Sequence, residues 1–162
     1  MIYSILVPLI DNPNYQSRQM VRYSFGVSNS APTLKVLVYS DDSAVRSSIK
    51  VSLGRRPSLE YGEVEILECA TQPAVVAAVD SRPFDLLILD GEATPSGGMG
   101  LCRQLKDEIF NCPPVLLLVG RVDDRWLATW SRADAVVAHP LDPRAVVNAC
   151  LELLKSRNSI SQ

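Results

Sequence analysis

Five short apolar runs recur along this chain, and each leads into a stretch with helical spacing. The runs are "LKVLVYSDD" from Leu34, "EVEILECA", the segment from Phe84 to Leu89, "PPVLLLVG" and "ADAVVAHP". The third is apolar almost throughout, as a strand is when both faces of its sheet are covered. Between the runs lie the helices. Ser43 to Leu53 places Val45, Ile49 and Leu53 on one face and stops at Gly54. Thr71 caps a short helix filled by "AVVAAV", with Pro73 in its first turn. Met99 to Phe110 holds Leu101, Leu105 and Ile109 in register. Asp123 or Asp124 starts a helix carrying Trp126 and Trp130. Asp142 caps the last helix, Pro143 opens it, and it runs through "AVVNACLELL". Such alternation predicts an α/β fold: a doubly wound, five-stranded parallel sheet with right-handed crossovers. The expected strand order is 2-1-3-4-5.

The chain has 162 residues, 47% hydrophobic and 21% charged, enough for one domain with a real core. Its formal charge of −2 gives no basic stripe for phosphate neutralisation, which argues against a nucleic-acid partner. Cys69, Cys102, Cys112 and Cys150 lack metal-type spacing, and His139 is the only histidine. Free thiols in a reducing cytoplasm follow, and a zinc site does not. "MIYSILVPLI" is too short to span a bilayer and has neither basic leader nor cleavage site. Residues 1–32 read as an extension with no clear period. It is either a loose tail or an arm that lies along a partner, with Tyr3, Tyr15, Tyr23 and Phe25 as anchors. The domain proper is expected over residues 33–155, with 156–162 as a polar tail. Trp126 and Trp130 sit one turn apart and share a face, which is either a partner surface or part of the core.

In an open parallel sheet, ligands bind beyond the carboxyl ends of the strands, where the strand order reverses. Here that point falls between strands 1 and 3. Asp41 and Asp42 end the first and Asp90 ends the third, so three carboxylates are expected at one cleft. A hard cation such as magnesium takes one or two carboxylates and keeps several waters. An aspartate beside it can attack a phosphoryl donor, because the metal offsets charge on both partners. The small residues of "GEATPSGGMG" would let main-chain N–H groups approach phosphate oxygens. The bland alternative is that these acids cap helices and form turns. The loop lacks the Lys-Ser/Thr of a P-loop and the spacing of a dinucleotide fingerprint.

From Leu34 to about Leu154 the chain resembles the response-regulator receiver domain, with its receiver, or flavodoxin-like, sheet. The resemblance makes Asp90 the phospho-acceptor. It makes Asp41, Asp90 and the main-chain carbonyl of Glu92 the metal ligands, with magnesium possible but weak and no other cofactor. The departures are specific. Ser40 replaces the first acid of the strand 1 pair. Val119 stands where the switch hydroxyl belongs, Val136 at the aromatic switch position, and His139 in place of the lysine. Pro95 lies one residue further past the acceptor than is usual, so the loop is longer. Valine cannot donate a hydrogen bond, and a largely neutral histidine is a poor substitute for lysine. "LDGEATPSGGMG", "CPPVLLLVGRVDDRWLATWSRADA" and "HPLDP" are similar to a group of orphan actinobacterial, including mycobacterial, receivers. That group is associated with the respiratory NADH:quinone oxidoreductase, complex I. The resemblance implies a pseudo-receiver that binds complex I subunits as an accessory subunit. It also implies a cytoplasmic location, peripheral on the inner face of the plasma membrane through that complex. The alternative is a single-domain response regulator of a two-component system, switched by a histidine kinase through Asp90. A phosphatase of the aspartyl-nucleophile type is disfavoured. It needs a second aspartate two residues after Asp90, and Glu92 stands there. No enzyme activity is expected.

Overall fold

The computed structural model describes residues 31–160. Five strands, β1 (Leu34–Tyr39), β2 (Val64–Cys69), β3 (Leu86–Asp90), β4 (Val115–Val119) and β5 (Ala135–Ala138), form one parallel sheet. Their spatial order is β2-β1-β3-β4-β5, as the alternation predicts. Helices α1 (Ser43–Leu53), α2 (Gln72–Ser81), α3 (Gly98–Glu108), α4 (Arg125–Ser131) and α5 (Pro143–Ile160) connect or follow the strands, and a 3-10 turn at Val122–Asp124 precedes α4.

Successive strand residues point to opposite faces of a sheet. Here both faces are apolar, and the chain builds two cores. Leu37, Tyr39, Leu87, Leu89, Leu117 and Val119 face Val75 of α2 and Leu101 and Leu105 of α3. Val36, Val38, Leu86, Ile88, Leu116 and Leu118 face Ile49 and Leu53 of α1 and Val146, Cys150 and Leu154 of α5. This is why the inner strands read as unbroken hydrophobic runs. Thr71 caps α2 as its position suggests, with Ala74 N–H donating to Thr71 Oγ1, and Asp42, expected at the cleft, caps α1 by accepting Ala44 N–H on Oδ1. The described cysteines are unpaired, and burial pushes the thiols up, to about 11 for Cys102 and about 12 for Cys150. They are thiols of the packing rather than nucleophiles.

The boundaries differ from the sequence reading in four places. β3 begins at Leu86 rather than Phe84 and includes Asp90. Helix α3 ends at Glu108; Ile109 is already extended, and Phe110 is 99% exposed. The apolar spacing carried past the true end, where Cys112, Pro113 and Pro114 take the chain into β4. Helix α5 runs on to Ile160, into the segment read as a polar tail. Arg157 fixes this last turn by donating to the carbonyls of Phe84 and Asp85, at 3.0 and 3.1 Å. At the other end, Pro32 already belongs to the fold, since its carbonyl accepts the Gly62 N–H. Tyr3, Tyr15, Tyr23 and Phe25 lie outside the described residues. Among the described residues no helix is long and apolar enough to cross a membrane.

The two-faced core makes a contrast that can be measured. Leu117 is fully buried in the sheet interior. Leu117→Ala is expected to cost about 2–5 kcal/mol in urea denaturation. Phe110→Ala should leave the unfolding midpoint nearly unchanged. A large loss at Phe110 would mean that its side chain packs against the domain.

Candidate acidic site at the carboxyl edge of the sheet

β1 and β3 are neighbours, with Val36 opposite Leu86 and Tyr39 opposite Leu89. After β1 the chain turns to one face of the sheet to form α1, and after β3 it turns to the other to form α3. The two connections diverge and leave a cleft at the carboxyl edge. Ser40 follows β1 and Asp90 ends β3, so the two meet across it.

Asp90 is only 3% exposed, and Ser40 is fully buried. Ser40 Oγ donates to Asp90 Oδ2 at 2.7 Å, and Glu92 N–H donates to Asp90 Oδ1 at 3.0 Å. Both oxygens of the buried carboxylate therefore have a partner from the chain itself. A buried acid without partners would be costly. Here a serine hydroxyl and a main-chain amide meet that need.

Asp41 is exposed. Its Oδ2 accepts from Thr94 Oγ1 at 2.7 Å, and this bond is the main reason its carboxyl is held below the usual carboxylate range. Asp42 turns away to cap α1. Of the three carboxylates expected at the cleft, two sit at the switch point and the third is spent on a helix end. Tyr39 adds another tie, its hydroxyl donating to the carbonyl of Ser96. Burial is the first cause that pushes this phenol up, so it stays a donor. Behind the strand end, Arg46 Nη1 donates to the carbonyls of Ser40 and Asp41 at 2.6 and 3.3 Å. Its Nε lies 3.4 Å from Glu68.

The loop after β3 is thus fastened to β1 by Ser40, Asp41 and Tyr39. It is fastened to β4 by Glu92, whose Oε1 accepts Gly120 N–H at 3.2 Å. Gly98 lets α3 begin hard against the end of β3: a Cβ there would lie 2.5 Å from the Asp90 carbonyl oxygen. The glycines of this loop therefore serve close packing as well as turning. Thr94, Tyr39 and Arg46 did not stand out in the sequence. Their partners lie 53, 57 and 6 residues away, and no local pattern marks such pairs.

The other three unusual positions lie on or just after β4 and β5. Val119 is the last residue of β4, fully buried, and Val136 of β5 packs against the same apolar cluster. Neither can donate a hydrogen bond. His139 follows β5, half-buried, with its main-chain N–H on the Val119 carbonyl at 2.8 Å. Among the described residues no group of three or more His, Cys, Asp or Glu side chains is placed to hold a metal. Magnesium asks for less, one or two carboxylates with waters. Asp41 and Asp90 supply the carboxylates that such an ion would use. Each carboxylate already holds a hydroxyl, so the fit is a weak one. Bound there, the ion would offset the negative charge of an incoming phosphoryl group.

Trp126 and Trp130 of α4 are 68% and 54% exposed. The helix that carries them does not use them as core. Arg103 of α3 donates to the Trp130 carbonyl at 3.0 Å and pairs with Asp107, which also binds Arg132.

No protein-family model matches the chain. It is 48% identical over 128 residues to an uncharacterized response regulatory protein of Mycobacterium tuberculosis strain H37Rv, covering 79% of this chain and 96% of that one. Among solved structures, it is similar to the receiver domain of the Francisella response regulator 1452. The TM-score is 0.65 at 17% identity, over 76% of this chain and 98% of that one. It is also similar to a CheY-like receiver domain protein from Methanospirillum hungatei JF-1, with TM-score 0.61 at 22% identity, over 79% and 98%. At those identities the structures speak to fold alone. The match along almost the whole length of the mycobacterial relative carries the assignment further, and the chain belongs to the response-regulator receiver family.

Proposed function

We propose that this receiver is a protein-binding module of fixed shape, a pseudo-receiver, rather than a phosphorylation-driven switch. The carrying observation is the buried hydrogen bond from Ser40 to Asp90. A switching site needs an acceptor whose surroundings change when a charge arrives. Here the acceptor position is satisfied by a neutral hydroxyl. Val119 has no hydroxyl to draw toward a phosphoryl group, and His139 stands where a lysine would stabilise it. Its role is regulatory rather than enzymatic.

The proposed partner is respiratory complex I, with this protein as an accessory subunit. That part rests on the sequence resemblance to orphan actinobacterial receivers. The exposed Trp126 and Trp130 support a protein-binding surface, since tryptophan is enriched at binding hot spots. The N-terminal arm, with Tyr3, Tyr15, Tyr23 and Phe25, is proposed to add anchors that order on the partner.

A tagged protein purified from native membranes should bring complex I subunits with it, identified by mass spectrometry. The Asp90→Asn variant should bring them equally well. Absence of those subunits from the wild-type preparation, or their loss with Asp90→Asn, would overturn the proposal. Deleting residues 1–30 spares the Pro32 contact and should leave the melting transition nearly unchanged while weakening co-purification. Full recovery of the partner by the truncated chain would assign the contact to the folded domain.

The second reading is a switched regulator with Asp90 as phospho-acceptor. The burial of Asp90 beside Asp41 at the strand ends favours it. Acetyl phosphate with magnesium should give little stable modification on a phosphate-affinity gel. Rapid, near-complete modification that vanishes in Asp90→Asn would establish this reading instead. Magnesium itself should saturate the amide shift of Gly91 only in the millimolar range, about 4 kcal/mol of binding. Ser40→Asp should tighten it several-fold by restoring the missing charge. No response at tens of millimolar in either protein would show that the acids do not form a metal site.

A further inference from the structure

We propose that Glu92 is a built-in occupant of the acidic site, supplying with its own carboxylate the anion that the main-chain donor of Gly120 would otherwise take from a phosphoryl group. The proposal rests on the reading of Asp90 as the acceptor position.

The geometry is specific. Glu92 is held at both ends. Its N–H donates to Asp90 Oδ1 at 3.0 Å, and its side chain crosses from the β3 loop to the end of β4, where Oε1 accepts Gly120 N–H at 3.2 Å. β3 and β4 are neighbours with Asp90 opposite Leu118, so Gly120 N–H lies at the same edge as Asp90. Position 120 has room for this carboxylate because it is glycine. A Cβ there would lie 2.8 Å from the carboxyl carbon of Glu92 and 3.0 Å from each of its oxygens. Main-chain N–H groups without a side chain in front of them are good anion donors.

The other nearby donors are committed. Gly91 N–H goes to the Leu118 carbonyl at 2.8 Å, Glu92 N–H to Asp90 itself, and Ala93 N–H to the Asp90 carbonyl at 3.4 Å. These bonds hold the loop in shape. Gly120 differs in that its partner is an exposed side chain, which can rotate away without unravelling a strand. An entering phosphoryl oxygen would have to displace the Glu92 carboxylate to reach it. It would also meet that carboxylate's negative charge beside the charge of Asp90. Glu92 therefore acts twice, by occupying the donor and by repelling the anion. It is a positioning residue that sets the access of anions to the site.

The test uses the full chain as wild type, Glu92→Gln, Glu92→Ala, and the double variant Asp90→Asn/Glu92→Ala. Acetyl phosphate with magnesium is the donor. In the reaction the phosphorus–oxygen bond to the acetyl group breaks, acetate leaves with the electron pair, and an Asp90 carboxylate oxygen forms the new bond to phosphorus. Modification is followed by phosphate-affinity gel and intact mass. The amide resonance of Gly120 is followed by nuclear magnetic resonance. Glu92→Gln keeps an acceptor on Gly120 N–H but removes the charge, and Glu92→Ala removes both.

Modification is expected to be faster than wild type in Gln, faster again in Ala by about tenfold or more, and absent in the double variant. The Gly120 amide should shift in Ala before donor is added and move again as Asp90 is modified. If Glu92→Ala does not fold, Glu92→Gln decides alone. Variants modified no faster than wild type would overturn the role of Glu92 and leave the pseudo-receiver reading standing. A wild type that is itself modified rapidly would overturn both.

Discussion

Covering the sheet on both faces is the constraint from which the other features follow. β1, β3 and β4 are buried on each side, so each must be apolar at nearly every position, and helices must lie above and below. Two layers of helices require the chain to leave β1 toward one face and β3 toward the other. The divergence opens a cleft at the carboxyl edge without any residue being selected to make one. Whatever side chains end β1 and β3 are then forced together across it. Ser40 and Asp90 are 50 residues apart in sequence and meet for that reason alone.

What meets in the cleft sets the chemistry. A buried carboxylate can be balanced by a cation, by an ionised base or by neutral donors. Asp90 takes the third course, with a hydroxyl on one oxygen and an amide on the other. The same economy recurs around it. Thr94 holds Asp41, Tyr39 holds the Ser96 carbonyl, and Glu92 holds Gly120 N–H. Most of these ties bind the β3 loop to a neighbouring strand. A loop rich in small residues, flexible by composition, is fastened at several points. Its glycines permit close approach, and the hydroxyls and carboxylates hold the result.

Trp126 and Trp130 show where a periodic pattern stops being informative. Helical spacing places both on one face but does not say which face is covered. Helix α4 has only seven residues, and exposed tryptophans on it are an unusual use of large apolar side chains. Phe110 teaches the same lesson from the opposite direction. Its spacing placed it in a helix, yet the helix ends before it and leaves its ring in solvent.

The fold class, the strand order and most helix limits were legible in the residues. The signals that set them are local: apolar runs, caps at Thr71 and Asp142, and prolines at helix starts. The arrival of Asp41 and Asp90 at one edge was legible as well, because it follows from strand order. The sequence could not say that Asp42 would serve α1 rather than the cleft. It also could not say that Arg157 would extend α5 through the Phe84 and Asp85 carbonyls. Nor did it mark Thr94, Tyr39 or Gly120 as parts of the site. Each of those roles depends on a hydrogen bond between residues brought close by the packed sheet. Such bonds need positions fixed to a few tenths of an ångström and a direction for donor and acceptor. Local propensity carries neither, so only the tertiary structure decided them.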